Sequence, residues 1–280
     1  MRRFKSFGFL SAALLLFGLL DSSCGRKTSV DGVVEKTALV MVVENNGWLG
    51  DQTISSYFDL FRPAITEIFA DIFGIEQSAM DGMSLTEIID VYGEAWQINE
   101  INTIASRRYE RVVALTDDEA SFDNFLSHLS ALSAEGYRID VILNLHSTDY
   151  NVRFSDGSHD IEEMTGALKN SSIEIRALYQ TCCYGSEMIG DWDEYAISAV
   201  NGSFKTNSLV MYSPIYFIDL WTQGLPFSDA VQNARTMEID KIRSYEKDFS
   251  LIKMMITDDV LEESGQLLGG VDSTLLWEDF

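Results

Sequence analysis

His146 and the neighbouring pair Cys182-Cys183 are the residues whose types and placement could carry covalent chemistry. His146 directly follows the apolar run Val141-Ile142-Leu143-Asn144-Leu145. The cysteines follow Ile175-Arg176-Ala177-Leu178-Tyr179 across Gln180-Thr181. A free thiol is about a few per cent thiolate at neutral pH, and a nearby imidazole raises that fraction, so a cysteine beside a histidine is a nucleophile with its own proton acceptor. Taken singly, a cysteine at a strand end is ordinarily a small hydrophobe. Equivalent positions at the ends of two successive major strands make these residues a candidate site. His128, on the polar side of a helix, and His159, after the polar loop Ser155-Asp156-Gly157-Ser158, read as ordinary surface residues.

The elements around them set the stage. Thr37 to Val43 is a continuous apolar, β-branched run, the pattern of a strand buried on both faces. Apolar residues at three- and four-residue spacing from Thr53 to Phe73 predict a helix bent or restarted at Pro63. Ser84 with Glu87 three residues on predicts a capped helix to Tyr92, and Gly93 to Ser106 is ambiguous. Beyond this, strands at 111–115, 140–145, 173–179 and 197–200 alternate with helices at 116–134, 161–168, 214–222 and from Ser228 past Ile242. Such alternation implies right-handed crossovers and an α/β fold, a three-layer α/β/α sandwich around a mainly parallel sheet. In sheets of that kind, functional groups collect beyond the carboxyl ends of the strands.

An apolar strand running into His, then another running into Gln-small-Cys-x-x-Gly, resembles the caspase-like (clan CD) cysteine peptidases. Among them, clostripain, gingipain and CHAT-type members are nearest. Gln180-Thr181-Cys182-Cys183-Tyr184-Gly185-Ser186 is similar to the nucleophile segment, and Ser213 to Ala230 is similar to the aromatic helix, glycine and second helix downstream of it. The resemblance spans residues 37 to 245 and implies an endopeptidase acting through a Cys-His dyad on a peptide or protein substrate. It assigns Cys182 as nucleophile, His146 as proton donor to the departing amine, and the amides of Cys182 and Ser147 as the oxyanion site. Cys183 is the alternative nucleophile, because Cys183-Tyr184-Gly185 also fits the shorter Cys-x-Gly of caspases. Ser147 stands where the family has Gly, and it supplies its amide only if its φ is not positive. Several relatives take Arg or Lys through an acidic pocket, for which Asp149, Asp191 and Asp193 are the candidates close in sequence; Asn45 to Asp51 is a candidate cleft wall. A catalytically inactive member binding a peptide or envelope protein is the other reading.

The N-terminus orders Arg2, Arg3 and Lys5, an apolar run from Phe7 to Leu20, and Asp21-Ser22-Ser23-Cys24, as a secretory signal does. The apolar run is short for a bilayer span. Cys24 stands where a bacterial lipoprotein signal places its lipidated cysteine, although Asp21 occupies a position that is usually aliphatic. The expected organisation is a signal peptide at 1–23, a lipid-attached tether at 24–36, one domain at 37–257 and a loosely structured tail at 258–280. The expected location is the bacterial cell envelope, held to the membrane by the lipid, with plain secretion as the alternative. A net charge of −24 disfavours nucleic acid as a partner. No phosphate loop, Gly-x-Ser-x-Gly elbow or His-Glu-x-x-His occurs, and three histidines with two remaining cysteines make no zinc site, so neither cofactor nor metal is expected.

Overall fold

The computed structural model of the chain describes residues 36–44, 52–245 and 257–277. Cys24, the signal, the tether up to residue 35 and the wall from Asn45 to Asp51 lie outside the described residues. Among those described, no helix is long and apolar enough to cross a membrane. The segment from Lys36 onward forms one compact unit.

That unit opens with β1 (Lys36–Glu44) and α1 (Gln52–Phe73), which carries Pro63 within a single helix. A short α2 (Leu85–Ile88) begins at Ser84, whose side chain and that of Glu87 form the expected reciprocal cap. It passes through a π-helical turn (Ile89–Glu94) into α3 (Ala95–Ala105), which resolves the ambiguous stretch. β2 (Arg111–Leu115), α4 (Phe122–Ala134) and β3 (Tyr137–Thr148) follow. α4 starts later than the sequence pattern predicts, because Asp117–Glu119 form a separate 3-10 turn and Ser121 is the residue that caps the helix. Next come a hairpin of β4 (Asn151–Phe154) and β5 (Gly157–Asp160), then α5 (Ile161–Asn170), β6 (Ile175–Gln180), α6 (Ile189–Tyr195) and β7 (Ala199–Ser203). α7 (Ser213–Thr222), α8 (Phe227–Tyr245), α9 (Asp258–Glu263) and β8 (Gln266–Gly269) complete the chain.

The strand order is β2-β1-β3-β6-β7-β8, parallel throughout except for β8, which runs antiparallel to β7. Period-two alternation divides each strand between two cores. Ala38, Val40 and Val42 pack with Phe125 and Leu129 of α4 and Trp192 of α6, whereas Leu39, Met41 and Val43 pack with Ile101 of α3 and Trp221 of α7. This is the expected α/β/α sandwich.

The segment from 258, expected to be a loose tail, is part of the domain. β8 extends the sheet, Leu275 is buried, and the Trp277 ring lies 4.3 Å from the Arg176 guanidinium carbon. Glycine permits that docking: Gly270 has φ +96, and a Cβ there would stand 2.6 Å from the Ser198 carbonyl oxygen. Beneath Trp277, Arg176 Nε donates to Asp140 Oδ1 at 2.8 Å, while Tyr109 and Trp221 donate to Asp140 Oδ2 at 2.6 and 3.0 Å. Burial alone would lower the Arg176 pKa, but Asp140 holds it above its ordinary value.

Candidate active site

β3 and β6 are neighbouring parallel strands, with Leu143 in register with Gln180. Beyond that pair, His146 is still on β3 and Cys183 is in the turn that follows β6, so both are at the carboxyl edge of the sheet. A cleft of ≈ 20 Å³ is lined by both His146 and Cys183, together with Asn144, Thr181, Asn207 and Val210. Cys182 is absent from that lining.

The two thiols have different surroundings. Cys182 has 0% exposure and belongs to the apolar cluster beneath α4, α5 and α6. Burial, reinforced by the neighbouring Cys183, pushes its pKa up to about 12, against smaller lowering contacts from the Leu145 backbone and the Ser147 hydroxyl. Cys183 is half-buried. Burial raises its pKa as well, opposed by hydrogen bonding from the Asn207 backbone and its own amide.

The turn that carries the cysteines is held by side chains. The carbonyls of Thr181, Cys182 and Cys183 accept in turn from Asn207 Nδ2 at 3.1 Å, Ser203 Oγ at 2.8 Å and the Ser147 hydroxyl. Tyr184 takes the left-handed conformation at φ 54, a strained choice for an aromatic residue, and its amide donates to the Lys205 carbonyl at 2.7 Å. Gly185 follows because its backbone touches that of Gly202 on β7: a Cβ on Gly202 would lie 2.3 Å from the Gly185 carbonyl carbon. The glycine of the Cys-x-Gly pattern therefore answers a close approach of two main chains.

Ser147 sits in the extended backbone of β3, opposite Val152 of β4, and is not among the residues with positive φ. The condition for a serine at this position is met. The three acids close in sequence lie elsewhere. Asp149 is exposed in the turn between β3 and β4, Asp193 accepts the Gly270 amide at 2.6 Å, and Asp191 lies on α6, where burial and then Glu194 raise its pKa. None of them lines the cleft shared by His146 and Cys183 or a larger cavity that His146 also lines.

No family model matches the chain, and no curated protein matches it in sequence. Among solved structures it is similar to the complex of Porphyromonas gingivalis RgpB pro- and mature domains, with 12% identity and a TM-score of 0.47 over 86% of this chain and 48% of that one. It is also similar to a secreted C11 cysteine protease from Bacteroides thetaiotaomicron, iotapain, with 8% identity and a TM-score of 0.36 over 61% of this chain and 53% of that one. The chain thus spans about half the length of the solved chains it matches.

Several residues at the site escape a reading by motif. The second cavity, ≈ 380 Å³, is lined by His146 with Glu44, Asp117, Asp118 and Arg153. These end β1, follow β2 or sit on β4, and no spacing ties them to the histidine. Asn144 had a visible signal, as the one polar residue within the apolar run Val141 to Leu145. Its Oδ1 accepts from Thr181 Oγ1 at 2.7 Å and its Nδ2 donates to Gln97 Oε1 at 2.6 Å. Glu44, Asp90 and Glu94 bring one carboxylate oxygen each within 4.8 Å of the others, the oxygen-only donor type that hard cations use. Burial, then the charges of Asp117 and Glu87, raise the Asp90 pKa.

Proposed function

We propose that this protein is a caspase-like cysteine endopeptidase in which Cys183 is the nucleophile and His146 the proton carrier. The observation that carries the reading is that these two residues line one cleft at the carboxyl edge of the adjacent parallel strands β3 and β6. The spacing-based preference for Cys182 yields to Cys183, since a thiol enclosed in the core cannot meet a peptide carbonyl. In the reaction, His146 takes the Cys183 proton and the sulfur attacks the carbonyl carbon, forming the C–S bond. The amides of Cys183 and Ser147 receive the oxyanion. The C–N bond then breaks as His146 gives its proton to the departing amine. Water activated by His146 hydrolyses the thioester, releasing the acid and restoring the thiol.

One observation favours the rival, a catalytically inactive chain that binds a peptide or envelope protein: burial raises both thiols above the ordinary range. A thiol deprotonated by its partner only when substrate arrives is compatible with that state. Export, and attachment to a bacterial envelope membrane through Cys24, complete the proposal on the strength of the N-terminal pattern.

Cleavage of a peptide library by the processed protein tests the chemistry. Cys183→Ala is expected to abolish cleavage, His146→Ala to slow it by about 10²- to 10⁴-fold, and Cys182→Ala to leave it measurable. Cleavage unaffected by both Cys183→Ala and His146→Ala would sink the assignment.

A further inference from the structure

The cleft at Cys183 also selects its substrate. Resting on the assignment of Cys183 and His146 above, we infer that the residue contributing the scissile carbonyl is small and uncharged: Gly, Ala or Ser. Its side chain hangs from the atom next to the attacked carbonyl, and so enters the cleft that Cys183 borders. The larger cavity is lined by His146 and not by Cys183.

Size sets the first limit. A single water needs roughly 10–15 Å³, so ≈ 20 Å³ of free space admits about one methyl or hydroxyl group. Charge sets the second. Besides His146 and Cys183, the polar lining is Asn144, Thr181 and Asn207, all neutral and 2, 2 and 3% exposed. Their groups are largely engaged: Thr181 Oγ1 donates to Asn144, and Asn207 Oδ1 accepts the Leu209 amide at 3.0 Å. An Arg, Lys, Asp or Glu side chain would enter with no opposite charge to meet it, which costs far more than a lost contact.

The wall is also too well tied to swing aside. Gln97 Nε2 donates to the carbonyls of Val210 and Met211 at 2.7 and 2.9 Å. The buried carboxylate of Glu238 on α8 accepts the amides of Met211, Tyr212 and Ser213 at 3.1, 3.0 and 2.6 Å. Opening the cleft for a long side chain would break several of these bonds without water to replace them.

Two measurements on the processed chain separate this inference from the peptidase reading. Mapping every bond cut in an unbiased peptide library is expected to show Gly, Ala or Ser before the scissile bond at least about tenfold over Leu, Arg, Lys or Asp, as the rejection of oversized side chains allows. Peptidyl chloromethyl ketones differing only in the residue beside the ketone need no turnover: the Ala form should modify Cys183 at least about tenfold faster than the Arg form. Val210→Ala should narrow the gap between Ala and Leu ketones while Arg stays excluded. Cys183-dependent cleavage after Arg, Lys or Asp, or equal modification by the Ala and Arg ketones, overturns the inference and leaves the peptidase standing. Absence of any Cys183-dependent cleavage overturns both.

Discussion

Thiol reactivity follows the thiolate fraction and access, and the two adjacent cysteines differ in both. Burial raises each pKa, so both are protonated at neutral pH and the thiolate fraction grows only as pH rises. For Cys182 that rise comes at about 12, inside a sealed core. For Cys183 the shift is opposed by the Asn207 amide and the sulfur borders an open cleft. Of these two, iodoacetamide mapping by mass spectrometry should therefore find only Cys183 modified in the native protein. Its rate should climb from pH 7 through pH 9, with Cys182 modified only on unfolding in urea. Equal labelling of the two at neutral pH would contradict this placement. The spacing of Cys-x-x-Gly and of Cys-x-Gly is legible in the sequence, but the choice between them is not, because it depends on how the turn after β6 is held by Ser147, Ser203 and Asn207.

At the scale of elements, the turn after β6 is shaped by its neighbour β7. Gly202 presents bare backbone to Gly185, and an added Cβ would meet the Gly185 carbonyl oxygen at 2.4 Å and the Ser186 nitrogen at 2.5 Å. Backbone cannot rotate away as a side chain does, so Gly202→Ala has to displace the turn or the strand. The expected cost is about 1–3 kcal/mol in urea denaturation, with a larger loss in the ketone labelling rate of Cys183, since the turn carries the nucleophile. A variant that is destabilised yet labels at the wild-type rate would show that Gly202 serves packing alone. Helix limits were mostly readable: Ser84 with Glu87 and the Gly136 stop both hold, the latter at φ +77. β8 was not readable, because a four-residue edge strand needs only one apolar face and is recognised by what it pairs with.

Across the whole molecule, the sheet separates two cores, and the edge bearing His146 and Cys183 lies beyond the carboxyl ends of its parallel strands. The ion pair of Asp140 and Arg176 sits on the α7 and α8 side, where Tyr109, Trp221 and Trp277 enclose it. With a net charge of −24, the chain gains no attraction from an anionic lipid surface. Under the proposed attachment, retention at a membrane rests on the lipid on Cys24. Cys24→Ala is expected to move the protein from the membrane pellet to the soluble fraction and to remove label from a radioactive fatty acid, with peptide cleavage unchanged. Persistence of the label would refute the anchor.

By itself, the sequence determined the α/β/α class, the parallel order of events along the chain and the two strand ends at which reactive groups emerge. Each of these follows from local apolar periodicity and from residues adjacent in the chain. Tertiary structure alone decided which cysteine shares a cleft with His146, that Gln266–Gly269 add a strand to the sheet, and that Asn144, Thr181 and Asn207 rather than nearby aspartates line that cleft. Those outcomes depend on strand register and on contacts between segments tens of residues apart. A shift of one residue in register exchanges the faces to which neighbouring side chains point.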